Sequence, residues 1–491
     1  MNKKKALKVV VIGAGMSGIL AAIRLREKGD DVVVLEKADK LGGTWRDNRY
    51  AGLTCDVPAH AYTYSFAPYP EWSRYFAPGP EIFHYFETVA HDYGVYDAIC
   101  FGEEVLDVSW KDRGWSILTK SGASYRADVV IAATGVLHHP RFPEIEGLEK
   151  FTGQSFHSAQ WPEEVDFAGK RVAVVGNGST GVQIVSALAG VAAHVDHFQR
   201  SPQWIMPVQD FAYSNEDRAR FRSDPAAIDA IRFDEQYVSN VRRFNNAIVD
   251  PSSEAMATIE IIVRDHLETA VADADLRERL RPDYRAACKR LIYSPDYYQK
   301  VQHPDVDVVV EGIRNIEASG VRTNDDALHP CDILILATGF QADRFVRPIK
   351  VSGRDGLTID DAWTKGPSAF LAVSIPDFPN FFLLNGPTGP VGNFSLIDIA
   401  EAQWGYLEQL LDLLRCGKAD EVSASRDAMA DYDEQRVAAA RTTIFASGCS
   451  SWYLNADGVP QSWPWGYDRF FEAMRTPDLA AFDIRLVAQT N

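Results

Sequence analysis

Two glycine-rich turns are the segments of this 491-residue chain best suited to bind phosphate. They share the pattern Gly-x-Gly-x-x-Gly and read Gly13-Ala14-Gly15-Met16-Ser17-Gly18 and Gly176-Asn177-Gly178-Ser179-Thr180-Gly181. The first glycine allows a sharp bend, the second lets a pyrophosphate approach the backbone, and the third lets the next helix pack closely. That helix points its unpaired N–H groups at the phosphates. The two turns therefore predict two dinucleotide sites.

An acidic residue ends the strand that follows the first turn. The run Val32-Val33-Val34-Leu35 ends at Glu36, about 20 residues beyond the turn, as the dinucleotide fingerprint requires. A carboxylate at this place can accept hydrogen bonds from both ribose hydroxyls of an adenosine. The predicted residues of the first site are Gly13, Gly15, Ser17, Gly18 and Glu36.

The corresponding strand after the second turn ends in a cation. Arg200 and Ser201 follow His197-Phe198-Gln199. An arginine can pair bidentately with the 2′-phosphate of NADP, which a carboxylate would repel. We therefore predict NADPH at the second site, bound by Gly176, Gly178, Ser179, Thr180, Gly181, Arg200 and Ser201.

Two Ala-Thr-Gly turns, at 133–135 and 337–339, each follow an apolar run. Such turns occur in flavoproteins that bind two dinucleotides, and Thr338 is predicted to contact cofactor on this basis. Each turn is equally compatible with an ordinary strand end. If one dinucleotide is FAD and the other NADPH, the chain is a flavoprotein that takes hydride from a soluble cofactor.

The elements around these turns predict an α/β fold with two Rossmann-like dinucleotide-binding domains. Each turn lies between a β-branched run and an Ala/Leu/Ile-rich helical segment, which is the start of a βαβ unit. Between them the sequence becomes charged and helix-prone. We predict an FAD-binding domain at 1–150 and 376–491, an NADP-binding domain at 151–206 and 290–375, and a helical insertion at 207–289.

Composition narrows the class of partner. A formal net charge of −18 argues against nucleic acid or an anionic membrane as partner. No segment approaches the roughly 20 apolar residues of a spanning helix. The six cysteines are scattered, without a Cys-x-x-Cys pair or a close histidine cluster. We therefore predict no metal site, no membrane span and a reducing, cytoplasmic compartment.

Three motifs give the chain its resemblance to Baeyer-Villiger monooxygenases. The segment 151–162 matches the family fingerprint Phe-x-Gly-x-x-x-His-x-x-x-Trp-Pro and lies between the two glycine turns. The segment 42–56 matches a second signature, with Ala51 where the family usually has proline. Cys288-Lys289-Arg290-Leu291 matches the Lys-Arg segment of the family. Together with Ser451-Trp452-Tyr453, these motifs spread the likeness over most of the chain.

The resemblance implies FAD, NADPH and O₂, with a ketone converted to an ester or lactone through a C4a-peroxyflavin. It implies that Arg290 lies over the flavin with Asp56 as its carboxylate partner, and that Lys289 joins Arg200 at the 2′-phosphate. It makes His157 a residue that couples the domains rather than a base. The further cofactor-binding residues that it implies are Gly43, Thr44, Trp45, Asp56, Tyr62 and Trp452.

Three other functions are compatible with two dinucleotide sites. A flavin-containing monooxygenase would oxidise nitrogen or sulfur, in an amine or thioether, instead of a ketone. A pyridine-nucleotide disulfide reductase would need a redox cysteine pair, and no closely spaced one occurs in the sequence. A module that binds the cofactors without catalysis would carry flavin but consume no NADPH.

Overall fold

The computed structural model describes residues 5–390, 395–449, 451 and 453–486. The strands in the first part of the described chain are β1 Lys8–Ile12, β2 Asp31–Glu36, β3 Ile99–Phe101, β4 Val105–Lys111, β5 Gly114–Thr119, β6 Ser124–Ala127, β7 Val129–Ala132, β8 Gln154–His157, β9 Arg171–Val175, β10 His194–Phe198 and β11 Ile205–Pro207. The later strands are β12 Ile292–Ser294, β13 Val306–Val309, β14 Ile313–Glu317, β15 Gly320–Thr323, β16 Leu328–Pro330, β17 Ile333–Leu336, β18 Lys350–Ser352, β19 Phe381–Leu383, β20 Glu421–Ala424 and β21 Phe482–Arg485.

The helices connect and cover these strands. The helices before the second glycine turn are α1 Met16–Glu27, α2 Thr44–Asp47 and α3 Gly79–Asp92. Those that follow it are α4 Ser179–Leu188, α5 Asn215–Ser223, α6 Pro225–Arg232, α7 Glu235–Val249, α8 Glu254–Ala270, α9 Ala274–Arg279, α10 Tyr297–Lys300, α11 Ile359–Ala362, α12 Leu396–Arg415, α13 Arg426–Ala440 and α14 Tyr467–Ala473.

Two five-stranded parallel sheets form the framework. The first has the strand order β19-β7-β1-β2-β3 and the second β13-β10-β9-β17-β8. Their inner strands are runs of buried aliphatic residues, because helices or other layers cover both faces of a parallel sheet. The α/β class predicted from the sequence is confirmed.

Each glycine turn lies where the central strand of its sheet passes into a helix. The first connects β1 to α1, and the second connects β9 to α4. Strand β1 pairs with both β2 and β7, and β9 pairs with both β10 and β17. Both turns thus lie at the carboxyl ends of parallel strands, where open α/β sheets bind ligands.

Strand β18 belongs to the four-stranded sheet β18-β4-β5-β6, whose other strands lie in the segment predicted as the FAD-binding domain. The predicted domain limits stay a prediction. Strand β18 pairs with β4, and Val351 packs in one cluster with Val10 and Trp115. The apolar run of β18 is too short to reveal its partner from the sequence. The region predicted as a helical insertion contains α5 to α9, and its limits stay a prediction.

Within the described residues, no helix combines the length and the apolar character needed to cross a lipid bilayer.

Candidate active site

The third glycine of each turn is required by the close approach of helix to strand. A β-carbon on Gly18 would lie 1.8 Å from the carbonyl oxygen of Gly13, and one on Gly181 would lie 1.9 Å from that of Gly176. No side chain caps the amino terminus of α1 or α4. The N–H groups at both helix starts are therefore left to a ligand or to water.

Glu36 is oriented by contacts inside the protein. Its carboxylate is buried and accepts hydrogen bonds from the backbone N–H of Ala14 at 2.8 Å and of Ala38 at 3.0 Å. The Arg46 guanidinium donates a third at 2.9 Å. A carboxylate offers about four acceptor positions, so one is left for a ribose hydroxyl. The ribose contact itself stays a prediction.

The loop 48–56 packs against helix α4 of the second sheet. The Tyr50 hydroxyl donates to Gln183 Oε1 at 2.9 Å, and Gln183 Nε2 donates to the Thr54 carbonyl at 3.2 Å. A β-carbon on Gly52 would lie 2.6 Å from the Gln183 carbonyl oxygen. The family signature at 42–56 therefore includes residues that contact helix α4. Ala51, which stands where the family usually has proline, is partly buried beside this contact.

A polar network holds the second glycine turn against the end of β10. Asn177 Nδ2 donates to Gln199 Oε1 at 3.0 Å and to the Ser201 carbonyl at 2.7 Å. Gln199 Nε2 donates to the Tyr297 hydroxyl at 2.6 Å, and His197 Nε2 lies 3.1 Å from the Gly176 carbonyl. Burial lowers the pKa of His197 to about 4, so the ring is neutral and can only donate from one nitrogen.

The residues predicted for the 2′-phosphate lie together. The Lys289 ammonium donates to Ser201 Oγ at 2.6 Å and lies 4.2 Å from the Tyr284 ring centroid. Burial and the nearby Arg200 charge lower the pKa of Lys289. Neither cation forms an ion pair with a carboxylate in the described part of the chain. The Lys289 and Arg200 cations and the Ser201 hydroxyl can therefore bind a phosphate group through charge-assisted hydrogen bonds.

Arg290 and Asp56, which are 234 residues apart, form an ion pair. Arg290 Nη2 donates to Asp56 Oδ2 at 2.5 Å. The Asp56 carboxylate raises the pKa of Arg290 further above its ordinary value, and the Tyr453 hydroxyl also interacts with the guanidinium. Arg290 is therefore a permanent cation held in one orientation.

A disulfide joins the Lys289–Arg290 segment to the C-terminal region. Cys288 and Cys449 are bonded, with 6.1 Å between their Cα atoms, and both are buried. They pack with Phe445 and Tyr453. The two cysteines are 161 residues apart, and residues so distant in sequence cannot be paired from spacing alone. Buried sulfur atoms do not offer a substrate disulfide the access that a reductase requires.

Asn385 is a residue of the first site that the sequence analysis missed. Its Nδ2 donates to Ser17 Oγ at 2.9 Å, and its backbone N–H donates to Gln403 Oε1 at 2.7 Å. Its Oδ1 is buried and has no hydrogen-bond donor among the described residues. A buried acceptor of this kind needs a donor, which a hydroxyl or ring N–H of a bound flavin nucleotide can supply. An Asn-Gly-Pro sequence signals only a turn, so nothing local marked this role.

The aromatic and threonine residues predicted near the first dinucleotide line one edge of its turn. A β-carbon on Gly15 would lie 3.6 Å from the Gly43 Cα, and Thr44 begins α2. Trp45 Nε1 donates to the buried Tyr62 hydroxyl at 3.2 Å. These residues are close to the helix start of α1, as a shared cofactor site requires, and their contact with cofactor stays a prediction.

Two further predicted residues have different surroundings. The Thr338 hydroxyl donates to the Arg141 carbonyl at 2.6 Å, so the hydroxyl serves the turn itself. His157 is fully buried, its Nδ1 accepts from the Ala159 N–H at 3.1 Å, and burial lowers its pKa. A neutral, enclosed imidazole agrees with a coupling rather than a basic role. Trp452 lies outside the described residues.

Comparisons with known proteins place this geometry in a family. The family model described as pyridine nucleotide-disulphide oxidoreductase matches residues 10–237. A Mycobacterium tuberculosis H37Rv protein named an uncharacterized monooxygenase is 44% identical over 457 residues, covering 93% of this chain and 92% of that protein. A Baeyer-Villiger monooxygenase of Streptomyces coelicolor is 36% identical over 484 residues, covering 97% and 92%. An oxidized steroid monooxygenase bound to NADP has a similar structure, with a TM-score of 0.87, 28% identity and coverage of 98% and 100%. The chain belongs to the Baeyer-Villiger monooxygenases.

Proposed function

We propose that this protein is an FAD-containing, NADPH- and O₂-dependent monooxygenase that converts a small-molecule ketone to an ester or lactone. The observation that carries the proposal is the Arg290–Asp56 pair, located beside the Lys289–Ser201 contact. Bound FAD would accept hydride from NADPH and activate O₂ for transfer to the substrate. The protein's own residues then have to bind, orient and stabilise charge.

Arg290 suits charge stabilisation because its guanidinium never gives up a proton. A negative charge develops on oxygen when a carbonyl carbon is attacked, and a preorganised donor lowers that barrier. Lysine or histidine in its place could lose its proton to the reacting oxygen. Asp56 orients Arg290, and Tyr453 adds a second contact.

The residues around each turn support a separate dinucleotide at each. Glu36, with its free acceptor position, supports the adenosine ribose of FAD at the first turn. Asn385 Oδ1 supports a flavin donor at the same site. Lys289 and Arg200 support the 2′-phosphate of NADPH at the second.

The Arg290→Ala variant tests this assignment. We expect NADPH consumption to continue while ester formation falls by about 10²–10³, since one charge-stabilising donor is removed. Oxygen should then appear as hydrogen peroxide. Products are identified by mass spectrometry with ¹⁸O₂. Arg285→Ala, in which a surface arginine bound to Glu260 is lost, is the matched control. Normal ester yield from Arg290→Ala would refute the role.

A competition between a ketone and a thioether separates the two oxygenation chemistries. The protein is incubated with both substrates, NADPH and ¹⁸O₂, and the amounts of ¹⁸O-labelled ester or lactone and of ¹⁸O-labelled sulfoxide are compared by mass spectrometry. We expect the ester or lactone to carry the label. Labelled sulfoxide without labelled ester would favour a flavin-containing monooxygenase that acts on sulfur.

A further inference from the structure

A group of carboxylates and imidazoles lies at the amino-terminal end of the second parallel sheet. His194 and Asp196 lie on β10, and Asp307 on β13 is the register partner of Asp196. Side chains alternate along a strand, so His194 and Asp196 point to the same face as Asp307. The glycine turn after β9 is at the opposite end of this sheet. The group is therefore separate from the candidate active site.

Two of the three distances within the group match the edge of a metal coordination tetrahedron. His194 Nε2 lies 3.4 Å from Asp196 Oδ1 and 3.6 Å from Asp307 Oδ2, and the three ligand atoms all lie within 4.8 Å of one another. A tetrahedral Zn²⁺ with bonds of about 2.0–2.2 Å separates its ligand atoms by roughly 3.3–3.6 Å. Both measured distances are long for hydrogen bonds.

The charges of the group also call for a cation. The Asp196 side chain is only 6% exposed, and its contacts are the imidazoles of His194 and His329. Carboxylates directly opposite each other on neighbouring strands repel, and a buried carboxylate needs a compensating charge. The guanidinium of Arg171, next to His194 on β9, is bound to Asp332.

We propose that His194, Asp196 and Asp307 bind one divalent transition-metal ion, with Zn²⁺ as the best fit. Imidazole with carboxylate ligands suits Zn²⁺, whereas Mg²⁺ and Ca²⁺ prefer oxygen ligands alone. Water completes the coordination on the solvent side, where the Asp307 side chain is 67% exposed. His329 Nδ1 lies 3.3 Å from the same Asp196 Oδ1 but is not one of the three grouped ligand atoms, so we assign it as an outer partner of that carboxylate.

The ion has a structural role. It links β10 to β13, and through His329 it links both to the antiparallel sheet β14-β15-β16. It lies at the end of the strands away from the glycine turn and the Arg290–Asp56 pair. Sequence spacing could not show this site, because its ligands come from segments more than a hundred residues apart and meet only through strand pairing.

Calorimetric titration of the full, metal-stripped chain with ZnCl₂ tests the proposal. We expect one Zn²⁺ per chain, with affinity at least about tenfold weaker in His194→Ala and Asp307→Asn. Zn²⁺ should raise the thermal midpoint of the unmodified chain and not that of His194→Ala. Asp307→Asn changes an exposed side chain, so it keeps the test valid if His194→Ala fails to fold.

The matched control is His303→Ala, which removes an exposed imidazole paired with Asp305 in the same domain. This variant should bind Zn²⁺ as the unmodified chain does. Absence of stoichiometric binding, or equal affinity in all variants, would overturn the proposal.

Discussion

Replacing Lys289 by alanine tests whether the Lys289–Arg200 pair selects NADPH over NADH. The ammonium now binds Ser201 Oγ at 2.6 Å and has no carboxylate partner among the described residues. A hydrogen bond to a charged group contributes about 1.5–3 kcal/mol. Lys289 is partly exposed, so the lower value applies, and about 1.5 kcal/mol corresponds to about a tenfold loss. We expect this loss in kcat/KM for NADPH and none for NADH, which lacks the phosphate.

The assay measures initial rates of NADPH and NADH oxidation with one ketone and compares the two kcat/KM values. Arg171→Ala is the control, since it removes a surface cation of the same domain whose partner is Asp332. It should leave the coenzyme ratio unchanged. Equal losses with both coenzymes, or an unchanged ratio in Lys289→Ala, would refute the assignment of Lys289 to the phosphate.

Three further predictions follow from charge and covalent contacts. Burial lowers the pKa of Lys289, so as the pH rises the ammonium should lose its proton below the usual lysine range, and kcat/KM for NADPH should fall there. In a pH-rate profile of Lys289→Arg this fall should be absent, because arginine keeps its charge. Replacing Cys288 and Cys449 by serine should lower the free energy of unfolding by about 2–4 kcal/mol in a urea titration. A reductant should lower the free energy of unfolding of the unmodified chain by a similar amount and leave that of the variant unchanged. The Asp30 and Arg415 side chains form a buried ion pair and are 0% and 2% exposed. Asp30→Ala leaves the guanidinium buried without its partner, so it should lower the free energy of unfolding by about 3–5 kcal/mol in the same titration. A loss under about 1 kcal/mol would contradict a stabilising role for this pair.

The sequence alone determined the features that depend on one continuous segment. The glycine turns, the strand that ends at Glu36 and the strand that ends before Arg200 are each specified by steric and hydrogen-bonding needs of neighbouring residues. The family resemblance supplied the partners of Arg290, and the relatives confirm the family. The α/β class followed from these local patterns.

Only the tertiary structure decided which distant residues meet. Chain topology joins Cys288 to Cys449 and Asp196 to Asp307, and it places Asn385 beside Ser17. It also pairs β18 with β4 in a separate four-stranded sheet. Such contacts depend on strand order and packing across the whole chain, and the sequence pattern of one segment does not specify which other segment it contacts.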